Sequence, residues 1–147
     1  KLFKKILVAV DGSTYAEQAV EYAATLAKKF DSELVIIHAV VSPMYTYEGA
    51  LLSPALEQLE RAGREVLNRS QLVAEKSGVQ VKTRLVIGHP AEEIAKVANE
   101  EGFDLLVVGS RGLSTVKAFL LGSVSEKLSR LAKCPVLIVK PGWKATE

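Results

Sequence analysis

Five short apolar runs alternate along the chain with stretches whose apolar positions return every three or four residues. The runs occupy 6–10, 34–40, 79–87, 105–108 and 135–139. Ile6-Leu7-Val8-Ala9-Val10 and Leu105-Leu106-Val107-Val108 contain no polar residue. Such runs predict strands buried on both faces, as in a parallel sheet covered by helices. The third run behaves differently. Val79-Gln80-Val81-Lys82-Thr83-Arg84 alternates, which places it at a sheet edge with one wet face.

Between the runs, Ala16, Ala19, Val20, Ala23, Leu26, Ala27 and Phe30 form a stripe of helical period that predicts a sheet-packing helix. Thr14 and Glu17 stand in capping-box spacing at its start. A second helix is predicted from Ser53-Pro54 to a left-handed stop at Gly78. A third runs from His89-Pro90 to Gly102, and a fourth from Gly122-Ser123 to Lys133. Residues 42–52, with Pro43, Tyr45, Tyr47 and Gly49, read as irregular, either a lid or an ordinary surface loop. Strand–helix alternation of this kind predicts an α/β fold, a doubly wound five-stranded parallel sheet with right-handed crossovers. The pattern leaves strand order open. If the first and fourth strands are neighbours, the switch point lies between their carboxyl ends, and Asp11-Gly12 faces Gly109-Ser110 across a crevice.

Composition narrows the function classes. At 147 residues and 48% hydrophobic, the chain suits one soluble globular domain, 1–140, with a tail at 141–147. A net charge of +2 gives no field to attract nucleic acid or a membrane. The apolar runs fall far short of the roughly 20 residues a bilayer crossing needs. Cys134 is the single cysteine, so no internal disulfide forms. With no signal-peptide pattern at the start, the expectation is a cytoplasmic protein. A local imbalance is more informative: residues 109–133 carry five basic side chains against one acid.

That basic segment holds the candidate chemistry. After the fourth strand come Gly109-Ser110-Arg111-Gly112, nine residues, then Gly122-Ser123-Val124-Ser125. Two glycines three apart make a tight turn that a ligand can approach without a Cβ in the way. Gly122 and Ser123 open a helix whose first N–H groups lack internal partners and attract anions. The hydroxyls of Ser123 and Ser125 add donors. A single glycine turn after a strand is usually structural, but the full set describes a polyphosphate clamp.

The set resembles the G-x2-G-x9-G-S/T signature of the ATP-binding branch of the universal stress protein family, with both spacings matched. The resemblance extends to Ile6-Leu7-Val8-Ala9-Val10-Asp11-Gly12-Ser13, to Val86-Ile87-Gly88-His89-Pro90 and to Cys134-Pro135-Val136-Leu137-Ile138-Val139. It implies strand order 3-2-1-4-5, the adenine nucleotide alpha hydrolase-like arrangement. It implies that Ala9, Asp11 and Ala39 line an adenine and ribose pocket, that Val108 and Gly109 touch ribose, and that Gly112, Gly122, Ser123 and Val124 cradle phosphates. The implied ligand is ATP (or AMP) with Mg²⁺ or Mn²⁺ held mainly through the phosphates. Asp11 can accept from a ribose hydroxyl or help to hold the metal. Ala9 and Ala39 are smaller than the residues often found at such places. The family also implies a homodimer through the last strand, Pro135 to Val139, an apolar edge without charges.

Other residues carry two readings. Arg111 and Lys117 either meet a phosphate or are solvated; Arg111 is counted with the binding set, together with Ser125. Lys127, Arg130 and Lys133 suit the end of a helix dipole. His38 reads as a satisfied core or rim histidine, His89 as part of a turn, and Cys134 as a small buried residue. Two histidines and a distant cysteine make no zinc cluster. Trp143 either covers a partner or belongs to the tail.

The expected role is an ATP-binding regulatory protein of the stress response. Its rivals are a slow ATPase or autophosphorylating protein, an adenylating enzyme of a related fold, and a nucleotide-independent dimeric interaction module. No general base or water-positioning Glu or Gln accompanies the clamp, so hydrolysis is expected to be slow at most. No G-x4-G-K-S/T or G-x-G-x-x-G occurs, which excludes a P-loop and a dinucleotide fingerprint. Val86-Ile87-Gly88 lacks the aspartate that a receiver domain needs.

Overall fold

A computed structural model gives the fold and describes residues 2–41, 53–111 and 121–142. In chain order the elements are β1 (Lys5–Val10), α1 (Thr14–Phe30), β2 (Glu33–Val40), α2 (Ser53–Lys76), β3 (Val81–Ile87), α3 (Pro90–Glu100), β4 (Leu105–Gly109), α4 (Ser123–Leu131) and β5 (Val136–Val139). The strands form one sheet in the order β3-β2-β1-β4-β5, every pair parallel. β1 is central, with Ile6 paired to Leu34 on one side and Leu105 on the other.

The apolar runs now have a reason. Ile6, Val8 and Val10 face one way, into a core with Ala19, Val20 and Ala23 of α1 and Leu67 of α2. Leu7 and Ala9 face the other way, onto Ile94 and Ala98 of α3 and Leu128 of α4. A strand covered on both sides has no position left for a polar side chain. β3 is the edge expected from its alternation, and Lys82, Thr83 and Arg84 are exposed on it. Its charges are paired at the surface, Arg84 with Glu101 at 2.7 Å and Lys82 with Glu33 at 3.7 Å. The Arg84 hydrogen bond holds the Glu101 carboxyl below its ordinary range. Charged side chains on an edge also discourage pairing with another sheet.

Several element ends differ from expectation. The N-cap of α1 is Ser13, not Thr14: Ser13 is extended (φ −79°, ψ 162°) and its Oγ accepts from the Ala16 N–H at 3.1 Å. Thr14 already lies inside the helix, so the Thr14–Glu17 box does not form. α4 stops at Leu131 rather than Lys133, because Asn99 of α3 intervenes. Its Nδ2 donates to the Leu131 carbonyl at 3.1 Å and its Oδ1 accepts from the Lys133 N–H at 2.9 Å. At the end of α2, Gly78 takes the left-handed conformation foreseen for it (φ 80°), and β3 begins at Val81 instead of Val79.

Candidate functional site

β1 leads into α1 on one face of the sheet, and β4 leads towards α4 on the other. Because β1 and β4 are neighbours, their carboxyl ends part and leave a crevice there. A cavity of about 370 Å³ fills it, within the range of sites that hold small molecules. Ala9, Asp11, Ala39, Val108, Gly109, Arg111, Gly122, Ser123, Val124 and Ser125 all line this one space. Gly112, Lys117, the 42–52 loop and Trp143 lie outside the described residues.

Six further residues of the lining escaped the sequence reading: Val10, Ala16, His38, Val41, Pro90 and Ile94. Pro90 and Ile94 are four apart in the first turns of α3, so they share a helix face. That spacing, just after a glycine-histidine turn, was the available signal. Most of the lining is apolar and suits a flat, weakly polar ring. The remainder is built to meet charge.

The charged end rests on α4. Gly122 caps it in extended conformation (φ −65°, ψ 159°) without a side-chain bond. Its own N–H donates to the Ser110 carbonyl at 2.7 Å. The amides of Ser123, Val124 and Ser125 are first-turn donors with no acceptor inside the helix. Three N–H groups and a helix dipole therefore bear on the cavity. The Ser125 hydroxyl is engaged elsewhere. Only 3% of the residue is exposed, and the Oγ–H points to the Ser110 carbonyl (3.2 Å) and the Gly122 carbonyl (3.0 Å). It ties the β4 exit to α4, and leaves its amide for a ligand.

Gly109 proves to be small for a reason besides the ligand. A Cβ there would lie 3.1 Å from the Tyr15 carbonyl oxygen and 3.2 Å from that of Arg111. The first turn of α1 thus crosses the end of β4 closely enough to need a hydrogen at that position. Asp11 orders the facing turn, its Oδ1 accepting from the Ser13 N–H at 2.9 Å. Arg111 is half-buried, with its guanidinium carbon 5.6 Å from the Tyr15 ring centre. Its Nε is shielded from solvent and has no hydrogen-bond partner among the described residues.

The remaining candidates fall into place. His38 Nδ1 lies 2.8 Å from the Val10 carbonyl oxygen; a carbonyl only accepts, so Nδ1 carries the proton and the ring is fixed at the rim. His89 is the extended N-cap of α3 before Pro90 and makes no side-chain capping bond. Cys134 is half-buried rather than buried. Burial pushes its thiol up, with the charge of Asp104 adding to the effect, so it stays protonated and a poor nucleophile. Lys127 pairs with Glu92 and Arg130 with Glu126 on the exposed side of α4. Among the described residues no group of three or more His, Cys, Asp or Glu side chains gathers to hold a metal, and no helix is long and apolar enough to cross a membrane.

Comparison with known proteins agrees with this geometry. The model of the universal stress protein family matches residues 2–140. The chain is 40% identical over 149 residues to the universal stress protein YxiE of Bacillus subtilis, covering 95% of this chain and all of the relative. The universal stress protein UspA of Lactobacillus plantarum superposes with a TM-score of 0.81 at 25% identity, over 95% of this chain and 99% of that one. A universal stress protein solved in complex with cAMP superposes with a TM-score of 0.76 at 31% identity, over 95% and 98%. The sheet order, the family model and the whole-length similarity agree, and the chain belongs to the universal stress protein family.

Proposed function

We propose that this protein binds ATP at the switch-point cavity and acts as a nucleotide-dependent regulatory protein of the stress response. One observation carries the reading: Ser123, Val124 and Ser125, whose first-turn amides have no acceptor inside α4, share a 370 Å³ space with the apolar ends of β1, β2 and β4. The adenine ring suits the lining of Ala9, Ala39, Val108 and Ile94, the ribose suits Asp11 and Gly109, and the phosphates suit Ser123, Val124, Ser125 and Gly112. Support for an adenine ligand comes from the family member solved with cAMP. Mg²⁺ or Mn²⁺ would ride on the phosphates, with Asp11, the carboxylate of the lining, as the protein's contribution. Asp11 and His38 already bond the backbone of Ser13 and Val10, and Arg111 keeps its charge and cannot serve as a base. Regulation by occupancy therefore fits better than rapid hydrolysis.

Isothermal titration with Mg-ATP tests this. Saturable binding of one nucleotide per chain is expected, with AMP and cAMP as parallel titrants to rank the phosphate requirement. No heat and no competition at millimolar nucleotide overturns it.

We further propose that residues 1–140 form the nucleotide-binding domain with 141–147 as its tail, in a cytoplasmic protein that pairs through β5. That strand is the second edge of the sheet, and Val136, Leu137 and Ile138 stay partly exposed in the single chain. An uncharged apolar edge favours a two-fold partner. Sedimentation at micromolar concentration is expected to give twice the chain mass; a monomer alone excludes the dimer.

A further inference from the structure

We infer that Arg111 is a movable anion reader, parked on Tyr15 when no phosphate is present and drawn off it by one. The inference rests on the nucleotide reading above and assigns it a moving part. Arg111 sits in the cavity wall beside Gly109, Gly122 and Ser123. Its guanidinium lies over the Tyr15 ring, 5.6 Å from carbon to ring centre. In that pose Nε is covered by protein and donates to nothing among the described residues. A covered donor without an acceptor is an unfavourable state, and arginine is the side chain least able to shed its charge. Stacking on an aromatic ring compensates only in part.

A phosphate at the open amides of α4 changes the balance. The guanidinium presents Nε–H and Nη–H as a fork that matches two oxygens of one phosphate. Turning onto the anion satisfies Nε and gives up the ring. Tyr15 is held in place independently, since its backbone is packed against Gly109. The ring is therefore a fixed parking site, and the arginine is the arm that moves.

This arrangement makes an unusual prediction about Tyr15. If the ring helped to clamp the nucleotide, removing it would weaken binding. If it competes with the phosphate for Arg111, removing it strengthens binding. In titrations with ATP and with adenosine, Arg111→Met is expected to weaken ATP about 10- to 100-fold, the loss of a charge-assisted bidentate contact. Adenosine affinity is expected to stay within about twofold, because no phosphate is present to read. Tyr15→Leu is expected to tighten ATP about two- to fivefold, the equivalent of one cation–π contact, and Tyr15→Phe to leave it unchanged. Circular dichroism of each variant checks that the fold is retained, and Arg111→Gln gives a second, polar removal of the charge. Equal loss of ATP and adenosine in both Arg111 variants, no loss of either, or weaker ATP binding by Tyr15→Leu each overturns the inference. Wild-type protein that binds neither ligand overturns the nucleotide reading and this arm with it; wild-type binding with unchanged Arg111 variants removes the arm alone.

Discussion

Replacing Gly63 with valine is expected to lower the stability of the fold by about 3 kcal/mol, through overpacking that outweighs the small gain in helix propensity. Gly63 lies inside α2, where glycine is worse than alanine by about 0.5–1 kcal/mol, so its presence needs a reason. The reason is the sheet beneath. A Cβ at this position would stand 2.8 Å from Val40 Cγ2, 2.9 Å from Leu85 Cδ1 and 3.3 Å from His38 Cδ2. Leu85 has outer torsions with which to yield. Val40 does not: it is buried and β-branched, and its one side-chain torsion is stiff. The helix must therefore lift from β2 and β3 or distort a central strand. For a chain of this size the loss corresponds to a fall in Tm of roughly 6–12 °C. Gly63→Ala sets the scale from below, because its gain in helix propensity of about 1 kcal/mol opposes the milder clash. Thermal melts by circular dichroism decide the matter. A Gly63→Val melt within a degree or two of the parent means that α2 does not rest on the sheet as closely as described.

Gly63 also shows where sequence reading stops. It falls on the buried stripe of α2 with Leu67, Ser70 and Ala74, and a small residue in that phase is a sign of close packing. Nothing local says which strand it meets. The same limit applies to Gly109. Its place after a buried strand was legible, and its ligand-facing use followed from the motif. The approach of Tyr15 comes from a helix some ninety residues earlier in the chain, which no spacing reveals. The apolar runs of β1 and β4 were legible because burial on two faces leaves no other pattern. Their adjacency was not, because the pairing of Ile6 with Leu105 is a long-range choice; the family resemblance supplied it.

The two displaced helix ends carry the same lesson at smaller scale. Ser13 and Thr14 are both able to cap, and residue type alone does not separate them. Asp11 decides, by taking the Ser13 N–H and setting the turn before it. The end of α4 is decided by Asn99, on another helix. At the site, the residues chosen for backbone reasons were the ones visible in sequence. Val41, Pro90 and Ile94 complete the lining only because β2 ends and α3 begins beside it.

Gly122→Val is expected to cost ATP affinity about 100-fold or more while leaving the sheet, its helices and any dimer in place, as suits a site whose donors are worth about 1.5–3 kcal/mol each to a charged ligand. The structure allows the separation of binding from folding. Gly122 has ordinary extended dihedrals, and a Cβ would meet the Ser110 carbonyl oxygen at 3.4 Å, Arg111 Cα at 3.5 Å and Ser125 Oγ at 3.5 Å. Those are normal contacts, so alanine is tolerated by the backbone. Valine is a worse N-cap than glycine, a loss of about 0.5–1 kcal/mol. Its two methyl groups have only the cavity or the seam between residues 110–111 and the first turn of α4 to occupy. In the cavity they stand where the phosphates belong. In the seam they pry apart the Gly122-to-Ser110 bond at 2.7 Å and the Ser125 tie, and the three amides lose their common aim. Either way the anion site is lost while the two cores, built from Ile6, Val8 and Val20 on one face and Leu7, Ile94 and Leu128 on the other, are untouched. Titration with Mg-ATP, beside a melt of the same sample, reads both quantities. A normal melt with unchanged ATP affinity places the nucleotide elsewhere; a collapsed melt makes Gly122 a folding residue and removes it from the binding argument.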